Sequence, residues 1–184
     1  MVERGIEATG IRVRLLTIDD VDIYRHARLA GLRESPAAFS ESYEDESKKS
    51  AAEWASPLTV HGEPPESFTI GALAGDALVA FATFERDRRS KARHKGMIHA
   101  MYTVPAWRGR GVGRAIVERV LEMARALDGL EQIHLWALRS DTTPRGFYES
   151  IGFERQGAVV RGDLKIDGRY VDAEYMVCRI EPRS

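Results

Sequence analysis

Met101-Tyr-Thr-Val-Pro-Ala-Trp-Arg108-Gly-Arg-Gly111-Val-Gly113-Arg114-Ala115 joins a β-rich segment directly to the clearest helical pattern in the chain. Upstream, residues 97–104 carry the β-branched and aromatic side chains of a strand. Downstream, Val112, Ile116, Val117, Val120, Leu121, Ala124 and Leu127 recur at helical spacing until Asp128-Gly129 ends the run. A strand, a glycine turn and a helix N-terminus in that order make a place for an anion. Gly109, Gly111 and Gly113 remove side chains that would block a close approach to the backbone. The first-turn N–H groups lack intrahelical partners, and the helix dipole favours negative charge there. Arg108, Arg110 and Arg114 add forked donors suited to phosphate oxygens. The spacing excludes a P-loop, which ends in Gly-Lys-Ser/Thr, and the dinucleotide fingerprint, which needs glycine where Arg114 stands. A pyrophosphate is the expected ligand.

Working outward, residues 11–16 alternate as a strand, and Thr17-Ile-Asp-Asp20 offers capping side chains to a helix marked by Val21, Tyr24, Ala27 and Ala30. Ser35-Pro36 ends that helix, and residues 37–54 read as a second one before the turn at His61-Gly-Glu-Pro-Pro65. Strands follow at 67–73, 77–85 and 97–104, with a tight hairpin at Gly75-Asp76 and a looser one over the charged run 86–95. Beyond the main helix, Ile133, Leu135 and Ala137 mark a strand and residues 144–150 a short helix. Two final strands at 153–163 and 169–180 turn at Asp167-Gly168. The order βααβββαβαββ implies one α+β domain over residues 1–184, built on a mixed, mostly antiparallel sheet of six to seven strands with helices on both faces.

Composition bounds the partners. With 184 residues, 43% of them hydrophobic, the chain closes one core without disulfides or metals. A net charge of −1 with interleaved signs lacks the basic face of a nucleic-acid binder, so an acidic ligand must be held locally. The single Cys178 has no histidine near it in sequence and reads as an inert buried thiol, which suits a reducing compartment, the cytoplasm. Met1-Val-Glu-Arg-Gly-Ile-Glu7 has no apolar signal core, and no run approaches the roughly 20 apolar residues of a membrane span. The histidines form no ligand pair at helical or hairpin spacing, so no metal is expected.

Arg108-x-x-Gly111-x-Gly113, following Val104-Pro105, resembles the coenzyme A pyrophosphate motif of the GNAT superfamily of N-acetyltransferases. Leu135-x-Ala137-x-x-x-Asp141, followed by Phe147-Tyr148-Glu-Ser-Ile-Gly-Phe153, resembles the second motif of that family. The likeness is strongest over residues 98–153; the first sixty-odd match in pattern only. It implies direct transfer of an acetyl group from acetyl-CoA to a primary amine within a ternary complex. The fold it implies has two parallel strands splayed in a V. The backbone of Tyr102, Thr103 and Val104 would bind the pantetheine arm, and an N–H near Tyr102 would polarise the thioester carbonyl. Arg108, Gly109, Arg110, Gly111, Val112, Gly113 and Arg114 would hold the pyrophosphate. Tyr148 occupies the position of the family's general acid and would protonate the departing thiolate.

Some positions depart from the pattern or leave it open. Asp141 stands where the family has an asparagine that contacts the arm; a carboxylate cannot donate as an amide does, so Asp141 reads first as a helix cap and second as the cofactor contact that the resemblance implies. Glu85, His99 and Glu41 are alternative general bases, although strand alternation would turn His99 away from Tyr102 unless a bulge intervenes. Phe39 and Glu41 belong to the segment that walls the acceptor site in this family. Acidic residues such as Glu41, Glu44 and Asp172 favour a cationic amine, and polyamines, amino acids, aminoglycosides and protein amines all remain open. Small members often form homodimers, and the last two strands offer edges for pairing. The competing reading is a non-catalytic CoA-binding sensor or partner-binding module of the same fold.

Overall fold

The strand and helix periodicities translate into a nine-stranded sheet with helices on both faces, in a computed structural model that describes residues 4–6, 10–139 and 145–180. The first half supplies β1 (Arg4–Ile6), β2 (Ile11–Leu15), β3 (Ser67–Ala74), β4 (Ala77–Arg86) and β5 (Lys95–Thr103). The second half supplies β6 (Gln132–Leu138), β7 (Glu154–Arg155), β8 (Val160–Ile166) and β9 (Arg169–Arg179). Their spatial order is β1-β2-β3-β4-β5-β6-β9-β7, with β8 also paired to β9. Every pairing is antiparallel except that of β5 with β6. The helices are α1 (Val21–Glu34), α2 (Tyr43–Glu46), α3 (Ala51–Ala55), α4 (Val112–Ala124) and α5 (Arg145–Glu149).

The mixed, mostly antiparallel architecture agrees with the expectation: seven of the strands have five or more residues, and β1 and β7 are short additions. Two local readings are corrected. The continuous second helix over 37–54 does not form; α2 and α3 are separate and flanked by 3-10 turns at Pro36–Ala38 and Ser56–Leu58. Each short helix starts at its own serine. The Ser42 hydroxyl accepts from the Asp45 N–H, and the Ser50 hydroxyl from the Glu53 N–H, so capping competes with propagation. The strand expected at 153–163 is divided into β7 and β8 around Gly157, whose φ of +79° breaks the extended run. Strand β1, pairing with β2, was not legible in the sequence.

Each face of the sheet has its own core. The stripe Val112, Ile116, Val117, Val120, Leu121 and Ala124 of α4 is fully buried against Ile70, Ala80, Ala82, Phe84 and Ile133. On the opposite face, Tyr24, Ala27 and Leu32 of α1 pack with Leu78, Phe81, Tyr102 and Trp54. Strand β4 lies between both layers, and its residues 78–84 are buried without interruption. Alternate side chains therefore serve opposite cores, each large one contributing about 1.5–3 kcal/mol of transfer free energy. The β8–β9 hairpin closes at Asp167 and Gly168, both at positive φ (48° and 78°), as an Asp-Gly turn of the primed type requires.

Candidate active site

Strands β5 and β6 run in parallel register for only three residues, Lys95, Gly96 and Met97 against Gln132, Ile133 and His134. Beyond that point they diverge. Strand β6 continues along β9 to Leu138, while β5 stays on β4. From residue 98 to 103 no described strand pairs the β5 edge that faces β6, which leaves that backbone edge open to a ligand. The V-shaped splay is therefore present, and a cavity of about 760 Å³ fills it, bounded by residues 97–103 on one arm and Trp136, Ala137 and Leu138 on the other.

A bulge sets what faces this gap. Between the pairs Phe81↔Tyr102 and Thr83↔His99, two residues of β5, Ala100 and Met101, stand against one of β4. Ala100 takes φ +53°, a left-handed conformation that costs a non-glycine residue about 1–2 kcal/mol. The extra residue resets the alternation, so His99 and Tyr102 share the face of Thr83 and Phe81, and Ile98 and Met101 pack toward α4. His99 is consequently on the α1 side of the cavity, the position that a regular strand would have denied it.

The glycine turn forms the cavity's far end. Gly109 and Gly111 have φ of +71° and +79°, and Gly111 is the residue that caps α4, with no side chain on its first N–H groups. That leaves the first-turn donors facing outward, as an oxyanion would require. Arg108, Gly109, Gly111, Val112, Gly113 and Arg114 all line the cavity. Arg108 folds back on β5, its Nε donating to the Thr103 carbonyl at 3.0 Å and its Nη2 to Ser35 Oγ at 3.1 Å. Arg114 reaches α5's end, where its Nη2 donates to Ser150 Oγ at 2.7 Å. Arg110 stands apart: its guanidinium lies over the Trp107 ring at 5.2 Å and does not line the cavity. Val104 likewise does not line the cavity; its N–H donates to the Val79 carbonyl and its own carbonyl accepts from the Trp107 N–H. Asp141 lies outside the described residues.

Tyr148 of α5 enters the cavity from the β6 arm, and its hydroxyl donates to Met101 Sδ at 3.4 Å. Burial pushes its phenol up to about 12, so it holds its proton at neutral pH. Across the gap, Phe39 packs on the Tyr102 ring and lines the cavity together with Glu41. The Tyr102 hydroxyl itself donates to Glu34 at 3.0 Å, which leaves its backbone as the part that faces the splay.

A second cavity, of about 540 Å³, adjoins the first through Glu41, His99 and Ala100. Glu85 lines this second space and not the first, with its Oε1 3.4 Å from Arg88. Solvent reaches His99 from the cavities, yet the protein atoms around it lower its pKa by desolvation, against the opposing pull of Glu85 and Glu41. Two wall residues escaped the sequence reading, Arg28 and Trp54. The signal for Arg28 was present: it lies on the stripe of Tyr24, Ala27 and Gly31 that α1 buries, where a charge has no place without a purpose. Among the described residues no group of three or more His, Cys, Asp or Glu side chains converges as metal ligands would, and no helix is long and apolar enough to cross a membrane.

Comparison with known proteins bears on this geometry. The N-alpha-acetyltransferase RimI of Mycobacterium tuberculosis is 30% identical over 93 residues, which are 50% of this chain and 56% of that protein. The chain thus spans little more than half of that relative's length. An acetyltransferase of the GNAT family from Streptococcus pneumoniae superposes with a TM-score of 0.77 at 16% identity, covering 93% of this chain and 99% of the other. A GNAT superfamily phosphinothricin acetyltransferase from Sinorhizobium meliloti, solved in complex with AcCoA, gives 0.75 at 20% identity and covers 95% and 94%. At such identities the two structures establish a shared fold. The model of the acetyltransferase (GNAT) family matches residues 29–153, a stretch that runs from α1 through the glycine turn to the end of α5 and beyond, and the chain belongs to that family.

Proposed function

We propose that the chain transfers an acetyl group from acetyl-CoA to a primary amine by direct attack within a ternary complex. The observation that carries this reading is the three-residue β5–β6 ladder, which opens into a cavity running from the left-handed Gly109 and Gly111 turn to the Tyr148 phenol. One end offers unpartnered helix N–H groups and Arg108 and Arg114 to a pyrophosphate; the middle offers a bare strand edge to an amide-bearing arm. The residues fit acetyl-CoA in chemistry.

In this reading the amine enters from the second cavity. Its ammonium gives up a proton on the His99 side, where Glu85 strengthens the imidazole as a base through its charge. The neutral nitrogen attacks the thioester carbonyl, whose developing oxyanion is met by backbone N–H at the bulge of β5. The carbon–nitrogen bond forms, the carbon–sulfur bond breaks, and the Tyr148 phenol gives its proton to the thiolate. Although a phenol near 12 is a weak acid, the same burial would raise the basicity of a thiolate held beside it. Calorimetric titration with acetyl-CoA, followed by addition of primary amines while free thiol is recorded, tests the reading. Tight binding with amine-dependent thiol release is the expected result. Binding with no release from any amine would favour a non-catalytic CoA-binding module, and no binding would remove the basis of the reading.

A further inference from the structure

The turn that carries Phe39 into the cavity is tied to the glycine-turn end by one side chain. Ser35 closes α1, its N–H donating to the Gly31 carbonyl at 2.8 Å. From there the Ala38 N–H donates to the Ser35 carbonyl at 2.9 Å and the Phe39 N–H to the Pro36 carbonyl at 3.3 Å. The Pro36 ring fixes φ inside this turn, so a displacement of Ser35 carries Phe39 with it. The end of α1 is held on β5 in three ways. A Cβ on Gly31 would lie 3.0 Å from Tyr102 Cε1 and 3.1 Å from Phe39 Cζ, so the last helical turn rests directly on both rings. The Tyr102 hydroxyl donates to Glu34 at 3.0 Å. The third is Arg108, whose Nη2 donates to Ser35 Oγ at 3.1 Å while its Nε donates to the Thr103 carbonyl at 3.0 Å.

Only the third runs through a group at the anion end of the cavity. Thr103 stands opposite Ala80, and the adjoining ladder bond is made by the Val104 N–H to Val79, so the Thr103 carbonyl points away from β4 toward the open edge. Arg108 thus spans from that edge to the end of α1, and its Nη1 has no acceptor among the described residues. A planar guanidinium can serve Thr103, Ser35 and a phosphate oxygen together. An exposed arginine loses side-chain entropy by keeping one geometry, which weakens a lone surface hydrogen bond. A phosphate oxygen on Nη1 imposes that geometry by itself, so the bond to Ser35 then forms at little further entropic cost. We propose that Ser35 is a positioning residue for acetyl transfer: through Arg108 it lets a bound pyrophosphate fix the Phe39 side of the cavity. The proposal rests on the placement of acetyl-CoA argued above and adds a coupling between that donor and the wall it faces.

Hydrogen exchange at the Ala38 and Phe39 amides measures the firmness of the turn, and CoA, which carries the pyrophosphate without the acetyl group, is the probe. Saturating CoA is expected to slow exchange at both amides by about fivefold or more in the parent protein, the lower end of ordinary coupling between sites. In Ser35→Ala the two rates are expected to respond to CoA by less than about twofold, and Ser35→Thr, which keeps the hydroxyl, is expected to restore the response. Calorimetry sets the saturating concentration, and linkage requires that Ser35→Ala weaken CoA binding by no more than the factor lost in exchange. A serine that serves only as the end of α1 would speed exchange in the free Ser35→Ala variant and leave the CoA response intact. That result overturns the proposal, as does a parent protein whose two amides ignore bound CoA, or a response lost equally in Ser35→Thr. CoA that fails to bind the parent protein at all would instead remove the placement of the donor, and the proposal with it.

Discussion

The Tyr148 hydroxyl donates to the sulfur of Met101 at 3.4 Å, linking α5 to the bulged strand β5 across the cavity. A thioether is a weak acceptor, so this bond holds the phenol in place without competing against a stronger base. Tyr148→Phe preserves the ring contacts with Phe147 and Phe153 and removes only the proton donor. The chemical step is expected to slow by about 10²-fold or more in single-turnover assays, with acetyl-CoA affinity nearly unchanged. An unaltered chemical step would show that the thiolate receives its proton elsewhere.

The turn before α4 depends on backbone conformation and not on space. A Cβ on Gly111 would meet nothing within 4 Å, yet the φ of +79° is one that alanine adopts only at about 1–2 kcal/mol. Gly111→Ala is therefore expected to relax the turn and misdirect the first-turn donors, weakening acetyl-CoA binding about tenfold in calorimetry. If affinity is retained, the pyrophosphate does not sit at this helix end.

His99 faces Glu85 on β4, Glu41 on the segment before α2 and Arg28 on α1. Desolvation lowers its pKa and the two glutamates oppose that, so the acidic limb of kcat/KM should fall below the ordinary histidine value of about 6.5. Removing the negative charge in Glu85→Gln should move that limb to still lower pH, whereas His99→Gln should abolish it. A limb that ignores both substitutions would assign the base to another group or to water.

Legibility in the sequence followed the range of the interactions. The glycine–arginine turn and the α4 stripe are local, with conformation, charge and periodicity written in consecutive residues, so the fold class could be read directly and the turn placed at the N-terminus of α4. The orientation of His99 was not, because the bulge at Ala100 and Met101 depends on two residues of β5 facing one of β4. Arg110 and Val104 illustrate the same limit: charge pointed to the first and the family motif to the second, while the stacking of Arg110 on Trp107 and the hydrogen bonds of Val104 to Val79 and Trp107 belong to the folded arrangement. The second cavity was least legible of all, because Arg28 and Trp54 come to line it only after α1 and α3 pack on one face of the sheet.

Arg14 and Asp20 form a two-pronged ion pair, Nη1 to Oδ2 and Nη2 to Oδ1, both at 2.7 Å, which ties the end of β2 to the entry of α1. The Thr17 N–H also donates to Asp20 Oδ2 at 2.8 Å, so the carboxylate fixes the turn between the two elements as well. Arg14, against the opposing effect of burial, holds the Asp20 pKa below its ordinary value. Because the folded value is depressed, the stabilisation is complete above the unfolded aspartate pKa of about 3.9 and is lost as pH falls through the lower folded value. Asp20→Asn should cost about 1.5–3 kcal/mol at pH 7, measured by urea denaturation. The difference from the parent protein should shrink as pH drops below about 4, since protonation then removes the same charge from the parent. A difference that stays constant down to pH 2 would mean that the pair contributes shape and hydrogen bonding at this turn without its charge.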